Sequence, residues 1–180
     1  DVYKRQEDVQ RVLNEKYNNQ EHISVYVKQL DTDRVAAIND EKSMYAASIA
    51  KLGVLYYAQE RLSQKKLSLS NEYQYTSTVN GFPGAYDPDG SGKISKMTDD
   101  KNYSLENLLK AVAQNSDNVA TNILGYYVAN QYDNSFQKSV DKASATSWNM
   151  DKKELTARAA GTLMEAIYRQ NGDIINYLSS

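Results

Sequence analysis

Residues 46–62, AASIAKLGVLYYAQERL, are the most strongly apolar helical pattern in this 180-residue chain, and any fold it adopts has to bury them. Ser48 and Lys51 stand at the head of that pattern. A three-residue step puts both side chains on one face of a helix. The free backbone N–H groups of a helix start favour a developing negative charge.

The remaining periodicities sort the chain into strands first and helices after. Residues 7–17 predict an amphipathic helix through Val9, Val12, Leu13 and Tyr17. Ile23, Val25 and Val27 alternate with Ser24, Tyr26 and Lys28 and predict a strand. Asp31-Thr32-Asp33 turns it back into a second strand over residues 34–38. Ser104 can cap a helix through Leu105, Leu108, Leu109 and Val112. Another helix is expected over residues 119–127, and a last one over 155–169 with Leu163, Ala166 and Ile167 on its apolar side. Residues 73–102 and 132–153 read as long irregular stretches, of the kind that usually carry function. The class is α+β, with a helical lobe beside an antiparallel pair that looks like an incomplete sheet.

Composition removes several chemistries. Net charge is −2, which gives no basic field for nucleic acid. Cysteine is absent and histidine occurs once, at His22, so neither a thiolate zinc site nor a Ser-His-Asp triad is expected. No apolar run approaches the ~20 residues of a membrane span. Asp1-Val2-Tyr3-Lys4-Arg5-Gln6 reads like the in-frame translation of a transposon adapter end. It is set aside, leaving one domain over residues 7–180: residues 7–46 hold the first helix and two strands, and 47–178 a mainly helical lobe. Any export signal is expected upstream.

Ser-x-x-Lys occurs four times, at Ser48/Lys51, Ser63/Lys66, Ser135/Lys138 and Ser139/Lys142. Only the first lies where burial can strip an amine of its proton and make it a base. Ser116-Asp117-Asn118 occurs once, between two apolar helical patterns. Its hydroxyl can relay a proton, its Asn118 amide can hold a substrate carbonyl, and Asp117 is expected to bond local backbone and fix the turn. Asp87-Pro-Asp-Gly-Ser-Gly92 has calcium-loop spacing, but position twelve is Thr98 and no helix precedes it, so a plain turn is the expectation. Trp148 is assigned to the core. Residues 99–101 and 151–154 read as solvated charge runs.

With these motifs the chain resembles the class A β-lactamase-like and penicillin-binding-type serine hydrolases. The resemblance rests on Met44-Tyr-Ala-Ala-Ser48-Ile-Ala-Lys51-Leu52, on Tyr103-Ser-Leu-Glu-Asn-Leu-Leu109, on Ser116-Asp-Asn-Val-Ala-Thr-Asn122 and on Leu155-Thr-Ala157, and spans residues 8–178. It implies a β-lactamase/D-alanyl-D-alanine-peptidase-like fold, Ser48 as nucleophile, Lys51 as base or proton shuttle, Ser116 as proton relay and Asn118 as substrate contact. Asp117 and Asn122 would be structural, Asn122 tying its helix to the omega loop. It implies no metal or cofactor, a β-lactam or peptidoglycan peptide as substrate, a monomer, and a place outside the cytoplasm at the cell envelope.

Two departures follow. Class A enzymes carry an omega-loop glutamate that activates water, whereas residues 135–153 contain none, only Asp141 near the middle. The family's Lys-Thr-Gly or Lys-Ser-Gly strand is not among these residues either. The chain is therefore expected to be a piece of a longer one and nearly inert alone, and its parent slow to release an acyl group. A true β-lactamase with fast turnover and a non-catalytic cell-surface relative remain the alternatives.

Overall fold

In the computed structural model, which describes residues 1–180, strands β1 (Val25–Gln29) and β2 (Arg34–Ile38) form the expected antiparallel hairpin, with Val27 opposite Ala36. Asp33 takes a left-handed φ of 58° in the turn, a conformation its short polar side chain tolerates. Helix α1 (Val2–Tyr17) lies along the outer edge of β2. There the Gln6 amide donates to the Val35 carbonyl (2.7 Å), and Gln10 both donates to and accepts from Ala37 (2.8 Å each). Two glutamines thus satisfy backbone groups that an edge strand would leave open. The helix starts five residues before the expected boundary, so residues 2–6, set aside as lying outside the fold, form its first turns.

Two further ladders were not foreseen. Strand β3 (Met44–Tyr45) pairs with β6 (Glu154–Leu155), and β4 (Glu72–Gln74) pairs with β5 (Asn102–Ser104). Each is two or three residues long, too short for alternation to register in sequence.

Between them the helical lobe assembles around the predicted apolar run. Ala47–Lys51 forms a 3₁₀ turn that passes into α2 (Leu52–Ser63). Around it stand α3 (Leu105–Asn115), α4 (Asn118–Tyr127), α5 (Asn134–Ser144), α6 (Ala157–Gln170) and α7 (Asp173–Ser179). Ser104 caps α3 as expected, accepting from the Asn107 N–H at 3.1 Å. The stretch 132–153 is not irregular throughout, because α5 occupies most of its first half. That helix buries only Phe136, Val140 and Ser144, so its pattern is too thin to read. Lys28 of β1 reaches Glu165 of α6 at 2.8 Å and joins the hairpin to the lobe.

Trp148 is fully buried at the middle of this lobe. Its indole N–H donates to the Ala50 carbonyl (3.1 Å), and its ring fills the space a side chain at Gly53 would need. Replacing Trp148 by Ala is expected to cost about 3–5 kcal/mol, measured by urea unfolding followed by far-UV circular dichroism.

Candidate active site

Ala47 enters the 3₁₀ turn with a left-handed φ of 39°. In a helix of three residues per turn, positions i and i+3 eclipse, so Lys51 lies directly behind Ser48. Ser48 is exposed, whereas Lys51 keeps only 3 % of its surface. The Lys51 amine reaches four acceptors: Ser48 Oγ at 3.2 Å, Ser116 Oγ at 2.9 Å, the Ser116 carbonyl at 2.7 Å and Asn118 Oδ1 at 2.6 Å. An ammonium has three donors, so one is shared. The structure therefore brings Ser48, Lys51, Ser116 and Asn118 together around one amine.

The second half of that cluster depends on the junction of α3 and α4. Ser116 ends α3 in a left-handed conformation (φ 52°), and Asp117 caps α4 by accepting from the Ala120 N–H at 2.9 Å. The turn is only two residues long and aims Ser116 and Asn118 at Lys51. Asp117 also reaches past its own turn: its second oxygen accepts from the N–H groups of Lys93 (2.8 Å) and Ile94 (3.0 Å). Asn118 donates from Nδ2 to the Asp87 carbonyl (2.9 Å), which leaves its other amide hydrogen free. Gly90 and Gly92 pack against these two side chains. A Cβ on either would overlap them, and Gly92 has a φ of 117° that favours glycine besides. The calcium-like segment is thus a turn locked onto the site, and no group of three or more His, Cys, Asp or Glu stands together anywhere in the chain.

Asn122 is fully buried and makes a tie, but not to the loop expected. Its Oδ1 accepts from the Tyr86 N–H (2.7 Å), and its Nδ2 donates to the Tyr86 carbonyl (2.8 Å) and to Asn80 Oδ1 (2.9 Å). The longer loop before α3 has taken the place assigned to the omega loop. Asp141 is also accounted for: it accepts from the Trp148 N–H and the Gln137 amide, both at 2.7 Å, and holds its own segment closed.

Sequence reasoning missed Tyr86 and Lys153. Lys153 was read as part of a solvated charge run, yet it is 8 % exposed. Its amine donates to the carbonyls of Gly84 and Met150 at 3.0 Å each, and its own carbonyl accepts from the Ala46 N–H at 2.7 Å. The Lys51 and Lys153 amines both lie over the Tyr86 ring, 4.7 Å and 4.4 Å from its centroid. Neither residue carries a sequence signal beyond a charge run and a Pro-Gly turn. Burial lowers Lys51 from the usual lysine range to about 8; the Asp117 carboxylate opposes this and the charge of Lys153 adds to it. Lys153 is lowered as well, by its own burial, against the pull of Asp151. Met44, Tyr45, Ala46 and Ile49, neighbours of Ser48 in sequence, line a largely apolar recess of about 350 Å³ with Leu155 and Ala157, and Ser48 itself is not part of its lining.

The model of the Beta-lactamase enzyme family matches residues 4–180. Among solved structures, PBP-A is similar at a TM-score of 0.70 and 16 % identity, over 90 % of this chain and 62 % of its own. A mutant of PBP-A in acyl-enzyme complex with penicillin G is similar at 0.67, with 14 % identity over 93 % of this chain and 62 % of its own. The D-alanyl-D-alanine carboxypeptidase DacD from Francisella tularensis is similar at 0.69, with 16 % identity over 85 % of this chain and 38 % of its own. The chain thus spans less than two thirds of each of these structures. No curated protein matches it.

Since Lys153 holds Lys51 down by its charge, Lys153→Met is expected to raise the Lys51 midpoint above about 8. Titrating the lysine ¹³Cε resonances by NMR in the two proteins checks both the low starting value and the direction of change.

Proposed function

The chain belongs to the Beta-lactamase enzyme family, and from that premise we propose that it carries the nucleophile half of a serine acyl-transfer site for β-lactams or peptidoglycan stem peptides. The observation that carries this reading is one buried amine in contact with two serine hydroxyls, Ser48 and Ser116. With its midpoint at about 8, roughly a tenth of Lys51 is neutral at pH 7, enough to take a proton from Ser48. Ser48 Oγ then bonds to the substrate carbonyl carbon. As the tetrahedral intermediate collapses and the C–N bond breaks, the proton passes from Lys51 through Ser116 Oγ to the leaving nitrogen. The free Asn118 amide hydrogen holds a substrate carbonyl, and the Ser48 N–H supplies part of the oxyanion stabilisation.

No glutamate lies between residues 135 and 153, and Asp141 is already engaged by two donors. Deacylation is therefore slow, which favours a penicillin-binding-type reading over a fast β-lactamase. A Lys-Thr-Gly or Lys-Ser-Gly strand is not among these residues. Without an oxyanion donor from it, acylation by the 180-residue chain loses about 10²–10³ in rate. No helix is long and apolar enough to cross a membrane. The proposed substrates, β-lactams and peptidoglycan stem peptides, are the reason to place the protein's action outside the cytoplasm, at the cell envelope.

Incubation with penicillin G is expected to add one penicillin mass to the protein slowly, at a rate that rises with pH through a midpoint of about 8 as Lys51 loses its proton and levels off above it. Ser48→Ala should abolish the adduct, and Lys51→Met should slow it by about 10²–10⁴. Intact-mass spectrometry reads all three. Rapid steady hydrolysis of a chromogenic cephalosporin would overturn the slow-deacylation reading.

A further inference from the structure

Tyr86 belongs to neither motif, yet its hydroxyl meets the turn before Ser48 and its ring lies under the Lys51 amine. Its backbone is held on both sides by the Asn122 amide, at 2.7 Å and 2.8 Å. Its hydroxyl donates to the Ala47 carbonyl at 2.9 Å. Ala47 carries the left-handed φ of 39° that starts the turn presenting Ser48, a conformation unfavourable for an alanine that persists only where neighbours impose it. The neighbours that impose it are visible: the Lys153 carbonyl holds the Ala46 N–H, and the Tyr86 hydroxyl holds the Ala47 carbonyl. The same ring lies within 4.7 Å of the Lys51 amine and 4.4 Å of the Lys153 amine.

We infer that Tyr86 is a positioning residue of the acyl-transfer site, its hydroxyl fixing the strained turn that presents Ser48 and its ring fixing the environment of the Lys51 amine. Burial raises the phenol well above its ordinary range, so it stays protonated and keeps donating. The ring's negative face attracts an ammonium, which offsets part of the repulsion between the two lysine charges that meet at it. The charged or ionisable groups that bear on Lys51 are Asp117 at the start of α4, Lys153 and Tyr86 itself; Tyr45 and Tyr132 are the phenols near Tyr86. The loop of residues 80–94 is thereby more than a wall. It carries the tie from α4 to the turn before Ser48, through Asn122, Tyr86 and Ala47 in sequence.

The inference rests on the acyl-enzyme reading for its rate measurement and not for its NMR measurements. Two variants separate the hydroxyl from the ring. Tyr86→Phe keeps the ring and loses the bond to Ala47: penicillin G adduct formation should fall about tenfold at every pH, the Ser48 amide resonance should shift, and the Lys51 midpoint should stay at its wild-type value. Tyr86→Leu keeps apolar cover and loses the aromatic face: the Lys51 midpoint should fall by about half to one pH unit. Thermal unfolding monitors the fold of each. If folded Tyr86→Phe labels at the wild-type rate, or folded Tyr86→Leu titrates Lys51 at the wild-type midpoint, the inference is overturned and Tyr86 is packing only. If the wild-type protein forms no adduct, the acyl-enzyme reading fails, and an unmoved Ser48 resonance or Lys51 midpoint in the variants then overturns the inference by itself.

Discussion

A charged amine closed away from water is the constraint around which this site is organised. Lys51 is almost fully buried, and an unpartnered buried ammonium would cost several kcal/mol. The fold meets that cost with oxygens from three residues on two distant segments. Those oxygens come from the head of α2 and from the α3–α4 junction, so the two segments have to meet at one point. The lysine is at once the reason the two segments converge and the group whose proton is easiest to move.

The Ser-Asp-Asn segment does more for the fold than for the amine. Asp117 spends one carboxylate oxygen on the cap of α4 and the other on the loop of residues 93–94. Asn118 divides its amide between Lys51 and the Asp87 carbonyl. Asn122, one turn further along α4, takes both backbone groups of Tyr86. Three side chains on one helix start therefore hold one loop at three heights. A loop rich in glycine and aspartate, which would be mobile if free, becomes part of the rigid frame.

The elements most legible in the sequence are those with strong local patterns. The hairpin, α2, α3, α4 and α6 follow from alternation and helical spacing, and the Ser104 cap from residue type. The convergence of Ser48, Lys51, Ser116 and Asn118 was legible because Ser-x-x-Lys and Ser-Asp-Asn have fixed local geometries. What was not legible depends on distant contacts. The partner of Asn122, the burial of Lys153 and the seat of Tyr86 are set by how a long loop folds back, and no local spacing encodes that. Helix α5 escaped for the opposite reason: its three buried positions are too few to distinguish it from a polar loop.

The same contacts bear on why an acyl group would persist in such a site. Besides Lys51, the basic group built into the frame of the site is Lys153. Its amine donates to two backbone carbonyls and faces an aromatic ring, and all three contacts favour the protonated form, against the burial that lowers it. To take a proton from water it would have to give up at least one of those carbonyls and turn a lone pair outward. Lys51 shares the ring and has two acceptor-only partners, but its other two partners are the Ser48 and Ser116 hydroxyls, which can donate to a neutral amine as readily as accept from a charged one. On the proposed reading, one lysine is arranged to exchange protons with serines and the other to remain a fixed charge. On that reading the geometry supports attack by Ser48, while residues 135–153 supply no glutamate of the kind that activates water in class A enzymes.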